Sequence, residues 1–238
     1  RINPNILESA LGSIKGGASS KRLPGMLISQ IKHAFGLYRD VSTFDVPIYE
    51  KAAKRLEEIA KDKTQVFYGR DADYFYYAVK ALRFGLADKK KLRKVYINRE
   101  LKSYLRDPHS EVRERILAYL LQEKVTADAV HIDTGFSGSV PEAVLQNLNP
   151  ELNPEEINER IKLLKSSHAG RESVVGDETA VDLIENRPHA YGDVTNIQRD
   201  EKTGRLKVVY HKEDSWKELE AWVVSQAVIR YFAPKKQL

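Results

Sequence analysis

The chain has no cysteine among its 238 residues. That absence excludes disulfides, thiolate zinc sites and a cysteine nucleophile together, and it leads to the expectation of a reducing, cytoplasmic setting. Long apolar runs are missing too. None approaches the roughly 20 residues that span a bilayer, and residues 1–17 lack the apolar centre of a secretory signal, so no membrane partner is expected. The six histidines show no His-x-x-x-His or similar ligand spacing. There is no internal repeat and no low-complexity tract. No Lys follows the second glycine of Gly135-Phe136-Ser137-Gly138, so this is not a Walker A loop, and the same residues do not form a G-x-S-x-G elbow.

What remains is the composition of an ordinary globular protein, 42% apolar and 31% charged with a formal charge of +5. The chain is long enough to bury a full core. The mildly basic balance suits anionic ligands. No basic-aromatic motif of a known module appears, so nucleic acid is not the favoured partner.

Residues 1–23 are polar and rich in Gly and Ser. Pro24 and Pro47 each open a stretch with apolar residues at helical spacing, Met26, Leu27, Ile31, Ala34 and Phe35 in the first, Ile48, Ala52, Leu56 and Ile59 in the second. These predict two packing helices, an N-terminal segment over 1–62 lying against an α/β unit over 63–238. Next come strand-helix alternations. Thr64-Gln65-Val66-Phe67-Tyr68 is β-prone and leads through Gly69-Arg70-Asp71-Ala72-Asp73 into an aromatic helix at 74–84. The basic run 89–94 reads as a solvated turn before a strand at Val95-Tyr96-Ile97, then Arg99 and Lys102. A helix over 108–122 follows, with Val112, Ile116, Leu117, Leu120 and Leu121 on one side. The third strand, Ala129-Val130-His131-Ile132-Asp133, runs into Thr134-Gly135-Phe136-Ser137-Gly138-Ser139 and a helix opened by Pro141.

Three such strand-helix alternations predict an α/β, Rossmann-like fold with a mainly parallel sheet flanked by helices. Ligands of such sheets sit outside the carboxyl ends of the strands, which places the 69–73, 98–102 and 133–139 segments on one rim. Beyond Pro150, residues 154–164 read as a helix or a helix running into a strand, and 178–185 as helical. A hairpin is expected across Asp200-Glu201-Lys202-Thr203-Gly204. Ser215 with Glu218 is a capping box for a final helix carrying Trp216, Leu219, Trp222, Val223, Ala227 and Ile229.

The chemistry concentrates in the turns. Asp133, at a strand end, can face ribose hydroxyls or a metal. Thr134, Ser137 and Ser139 supply hydroxyls, while Gly135 and Gly138 let backbone amides approach an anion. The plainer alternative is a strand-to-helix turn in which Ser139 caps the helix. Gly69 and Arg70 beside Asp71 and Asp73 can bind pyrophosphate or hold Mg²⁺, or simply start a helix whose dipole favours acids. Arg99 and Lys102 can neutralise phosphate or decorate a solvated helix. Ser166-Ser167-His168-Ala169-Gly170-Arg171 is a polar loop able to meet an anion, and His131, inside its strand, reads as an interior imidazole.

The order of these parts resembles the type I phosphoribosyltransferases. In that family a first strand-end loop binds pyrophosphate, as residues 69–73 would here, and a second strand leads into a basic loop, as residues 95–102 would. Residues 130–139 are similar to the family's signature of apolar strand, two acids and a Gly/Thr-rich loop. The resemblance implies that Asp133 meets the ribose hydroxyls, that residues 134–139 hold the 5-phosphate, and that Asp133 and Asp71 share a Mg²⁺ during phosphoribosyl transfer. Thr134 stands where the second acid should, which implies altered chemistry or binding without turnover. A second resemblance is to haloacid-dehalogenase-like phosphatases. Asp71 would be the nucleophile, Asp73 the acid, and Asp177 within Val174-Val175-Gly176-Asp177-Glu178 a metal ligand. A third reading is a non-catalytic nucleotide- or RNA-binding protein using the same rim.

Overall fold

A computed structural model of the chain describes residues 23–60, 62–69, 72–82, 91–134, 137–164, 171–174, 194–211 and 215–232. The first helix, α1 (Leu23–Asp40), passes through a five-residue π-helical segment (Val41–Asp45) into α2 (Val46–Ala60). The two helices expected from the prolines are therefore one helical run. Pro47 has no N–H to give the carbonyl four residues before it. The wider π turn, in which the N–H of Val46 bonds the carbonyl of Val41, carries the helix past that gap.

Five strands form the main sheet: β1 (Gln65–Gly69), β2 (Leu92–Tyr96), β3 (Val130–Asp133), β4 (Ile161–Leu163) and β5 (Glu172–Ser173), in spatial order β2-β1-β3-β4-β5. Every pairing among them is parallel. The α/β class follows directly, since parallel neighbours need crossovers and these bring helices to both faces. The crossovers are α3 (Asp73–Leu82) between β1 and β2, then α4 (Arg99–Tyr104) and α5 (Glu111–Gln122) before β3, then α6 (Ser139–Leu148) and α7 (Pro154–Arg160) before β4. Residues 154–164 are thus a helix running into a strand.

Side-chain alternation along the strands sorts the core into layers. Phe67, Leu92, Val130 and Ile132 face α2, α3 and the final helix, α8 (Ser215–Phe232). Val66, Tyr68 and Val95 face α4, α5 and α6. A smaller cluster of Leu145, Ile157, Ile161 and Leu163 packs β4 under α6 and α7. Buried residues between 41 and 60 share the first of these clusters with the sheet.

The predicted hairpin is β6 (Val194–Arg199) against β7 (Leu206–Tyr210), antiparallel and separate from the main sheet. Its turn is held by the Asp200 carboxylate, which accepts from the backbone N–H groups of Lys202 and Thr203, both at 3.0 Å. Gln122 ties the hairpin to α5 through both ends of its amide, donating to the carbonyl of Leu206 and accepting from its N–H, each at 2.8 Å.

Some expectations are revised. The aromatic helix is Asp73–Leu82. Within the basic run, Arg93 and Lys94 lie in β2 and not in a turn. Helix α6 opens at Ser139, with Pro141 inside its first turn. Ser215 is already helical in α8 rather than preceding it. The helix expected over 178–185 lies outside the described residues. No described helix is long and apolar enough to cross a membrane.

His131 is a satisfied interior imidazole. It is fully buried, with Nε2 3.2 Å from the carbonyl oxygen of Thr126 and Nδ1 2.7 Å from the hydroxyl of Tyr68. A carbonyl only accepts, so Nε2 carries the proton and Nδ1 accepts from Tyr68. Burial, and then the charge of Asp133, hold the Tyr68 phenol well above its usual pKa, so it remains a donor. Burial lowers the imidazole from 6.5 to about 4. The unfolded chain then takes up a proton that the folded one refuses as pH falls from 6.5 toward 4. Stability should drop by about 3 kcal/mol across that window and be unaffected by this group above it. Urea unfolding of wild type and His131→Asn at pH 7.5 and 4.5 checks this. The variant starts less stable but should lose correspondingly less on acidification, and equal losses would refute the assignment.

Candidate functional site

Strands β1 and β3 are adjacent and parallel, with Phe67 level with Ile132. Their carboxyl ends therefore leave the sheet side by side, and β2 ends beside β1 with Tyr96 level with Gly69. The order β2-β1-β3 means that the chain leaves β1 to one side and returns on the other. This creates a topological switch point, the usual ligand crevice of an open α/β sheet, between the 69–72 and 134–139 turns. The edge also receives residues 98–102, so the three segments share one rim.

Along that rim the polar residues fall into two groups. Asp73, the first residue of α3, is buried at 8% exposure. Its Oδ1 lies 3.2 Å from Lys94 Nζ, and its Oδ2 accepts from the Tyr96 hydroxyl at 3.1 Å. Lys94 Nζ also lies 4.9 Å from the ring centroids of Tyr77 and Tyr96 and 5.4 Å from that of Tyr76. Burial alone would lower the lysine's pKa, but Asp73 and Tyr77 beside it more than offset this and raise it. Burial and Asp73 raise that of Tyr96. Gly69 is what lets the group close. A Cβ there would come within 2.6 Å of Asp73 Oδ1 and 2.5 Å of the Tyr96 ring. Asp73 thus serves as counter-ion to a lysine that the sequence reading left in solvent. The signal for Lys94 was its place two residues from Leu92 on the pleat, which puts both on one face of β2.

The second group surrounds the turn after β3. Asp133 ends the strand half-buried, close enough to Tyr68 for its charge to bear on the phenol. Thr134 is fully buried, and its Oγ1 has no hydrogen-bond partner among the described residues. Gly138 is the N-cap of α6 in the left-handed region, φ 61° and ψ 26°, and as a glycine it brings no capping side chain of its own. A Cβ at Gly138 would lie 2.8 Å from the Ile161 side chain, so the residue is glycine for conformation and for space. Ser139 does not cap the helix. Its Oγ accepts from Lys102 Nζ at 3.1 Å, bridging α4 to the turn. Arg99, the first residue of α4, points into solvent. Asn98 orients α4, accepting from the Leu101 N–H at 2.9 Å and donating to the Val194 carbonyl at 2.8 Å.

Beyond Ser139 the turn opens into a cavity of about 340 Å³ between α6 and α7, lined in part by Ser137, Ser139, Glu142 and Arg171. Arg171, the end of the polar 166–171 loop, is buried. It bonds Glu142 Oε2 through Nη2 at 2.7 Å and Asn158 Oδ1 through Nε at 3.0 Å. Neither Gly69 nor Asp73 borders this cavity. The two turns share an edge, and the formed cavity belongs to the β3 side of it. Arg70, Asp71 and Gly135, with residues 165–170 and 175–180, lie outside the described residues. Among the described residues, no three acidic or histidine side chains gather to hold a metal.

Compared with known protein families the chain matches no family model, and compared with curated proteins it matches none.

The two groups respond differently to substitution. Lys94→Met strands the buried Asp73 carboxylate and should lower stability by about 3–5 kcal/mol. Exchanging both residues, Lys94→Met with Asp73→Leu, should recover most of that loss, as read by urea unfolding. A Lys94→Met variant as stable as wild type would show the pair to be loosely solvated instead.

Proposed function

We propose that the chain binds a phosphorylated ribose or nucleotide at the carboxyl edge of the sheet, with the phosphate on the turn at residues 137–140. The observation that carries this reading is the opening of α6. Gly138 turns the chain into the helix from the left-handed region and brings no side chain to the first amides. The helix N-terminus therefore offers N–H groups and partial positive charge beside β3, where anions are favoured. Lys102, hydrogen-bonded to Ser139, brings a full positive charge to the same spot. The half-buried strand-end carboxylate of Asp133 supplies acceptors of the kind ribose hydroxyls need.

Phosphoribosyl transfer is the reaction that the family resemblance adds. Of the two Mg²⁺ ligands it implies, Asp133 is at the turn and Asp71 is outside the described residues; the neighbouring Asp73 is engaged with Lys94. Among the described residues no group of three or more acidic or histidine side chains is gathered to hold the ion. The phosphatase reading would need Asp73 to move a proton beside Asp71, and its salt bridge to Lys94 gives it other work.

Calorimetric titration with ribose 5-phosphate and with ribose tests the binding reading. Wild type should bind the phosphate ester and bind ribose far more weakly. Lys102→Met should weaken ribose 5-phosphate by about tenfold or more, the scale of a lost charge-assisted hydrogen bond. Asp133→Ala should weaken it similarly. Equal affinity for ribose and its phosphate, or no binding of either, would overturn the reading. Release of pyrophosphate from phosphoribosyl pyrophosphate in the presence of Mg²⁺ tests transfer separately.

A further inference from the structure

The cavity between α6 and α7 differs in chemistry from the turn it adjoins. On the α4 side of Ser139, Lys102 brings positive charge to the turn. On the cavity side, the buried guanidinium of Arg171 is neutralised by Glu142 at 2.7 Å and held in plane by Asn158. Only Nε and Nη2 are used in those bonds. Nη1 comes toward the Gly138 backbone, 3.2 Å from where a Cβ would stand. Among the described residues, neither Nη1 nor Glu142 Oε1 has a hydrogen-bond partner, and Gln146, exposed on α6 at the cavity wall, makes no hydrogen bond with its amide. The opposite wall is apolar, formed by Leu152, Pro154 and Ile157.

A second phosphate would meet the Glu142 carboxylate here, and a like charge so close is unfavourable. A neutral group that both donates and accepts along one edge, and is flat enough to lie on an apolar wall, would meet complementary partners. At about 340 Å³ the cavity is at the small end of the roughly 300–1,000 Å³ usual for small-molecule sites. The geometry points to this cavity as the seat of a nucleobase-type heterocycle, so that the ligand of the turn is a nucleotide rather than a bare sugar phosphate. This inference rests on the phosphate reading of the residue 137–140 turn and names the ligand class for it.

The test titrates the whole chain with ribose 5-phosphate, with the 5′-monophosphates of adenosine, guanosine, cytidine and uridine, and with the four free nucleosides. At least one monophosphate should bind about tenfold or more tightly than ribose 5-phosphate. Gln146→Ala, an exposed position whose change leaves the core intact, should reduce that advantage and leave ribose 5-phosphate affinity unchanged. Leu152→Trp, which fills the cavity, should remove the advantage altogether. Monophosphates no tighter than ribose 5-phosphate would overturn the heterocycle seat while leaving the phosphate reading standing. Nucleosides that bind, and weaken with Gln146→Ala, would support the seat even if ribose 5-phosphate failed to bind. Binding of no probe would overturn both.

Discussion

Everything at the candidate site depends on the parallel pairing of β1 with β3. A strand whose neighbours both run in its own direction cannot be reached by tight turns, so each connection must cross a face of the sheet as a helix. Residues 65–68 of β1 are buried, which is the mark of helices on both sides. The same pairing aligns the carboxyl ends, and it gathers the turns after β1, β2 and β3 on one edge without any one of them needing to be specified for that purpose. The Tyr68–His131 hydrogen bond locks the two strands together across their shared face. Because the imidazole stays neutral and both its nitrogens are engaged, the lock introduces no buried charge next to Asp133.

The edge so formed divides labour between scaffold and opening. Around Gly69, close approach of Asp73, Lys94 and three tyrosines produces a dense, mutually satisfied cluster that fixes where α3 leaves the sheet. Around Gly138 the backbone does the reverse. The left-handed cap leaves the helix start bare and sets the turn against Ile161 and Arg171. Two glycines serve opposite ends: one admits side chains, the other withholds one. A buried cluster joined by an ion pair and a hydrogen bond stabilises position, whereas a helix start whose cap is glycine has no acceptor from the cap residue for its first amides.

Much of this frame was legible in the sequence, for identifiable reasons. Short apolar runs ending in polar turns, separated by helical periodicity, specify strand-helix alternation, and the direction of the sheet follows from it. The hairpin showed in its Asp200-to-Gly204 turn residues, and the interior character of His131 in its place among Val130 and Ile132. Local patterns misled where tertiary contacts overrode them. Pro47 reads as a helix start, yet a π turn absorbs its missing donor. Lys94 reads as solvated because charge runs usually are. The Asp73 carboxylate and the aromatic stripe of α3 crossing the pleat, both invisible to a linear scan, make a half-buried lysine tolerable. Ser139 reads as a cap because a hydroxyl before Pro141 commonly is one, but the left-handed Gly138 starts the helix earlier and frees the hydroxyl for Lys102. The Arg171–Glu142 pair joins residues 29 apart, and no spacing rule could have united them.

That pair also explains why the two sides of one short turn are chemically unequal. Lys102 reaches Ser139 with its ammonium half-buried and is paired there with a hydroxyl, so its charge stays largely uncompensated at the helix start. Arg171 is more deeply buried, and an unpaired guanidinium in that position would be strongly unfavourable. Glu142 removes the penalty and in doing so cancels the field that Arg171 would otherwise add to the turn. Attraction for an anion is thereby confined to the α4 side of Ser139, while directional hydrogen bonding remains on the α6–α7 side. On the proposed reading, a ligand that uses both sides is charged at one end and neutral but polar at the other.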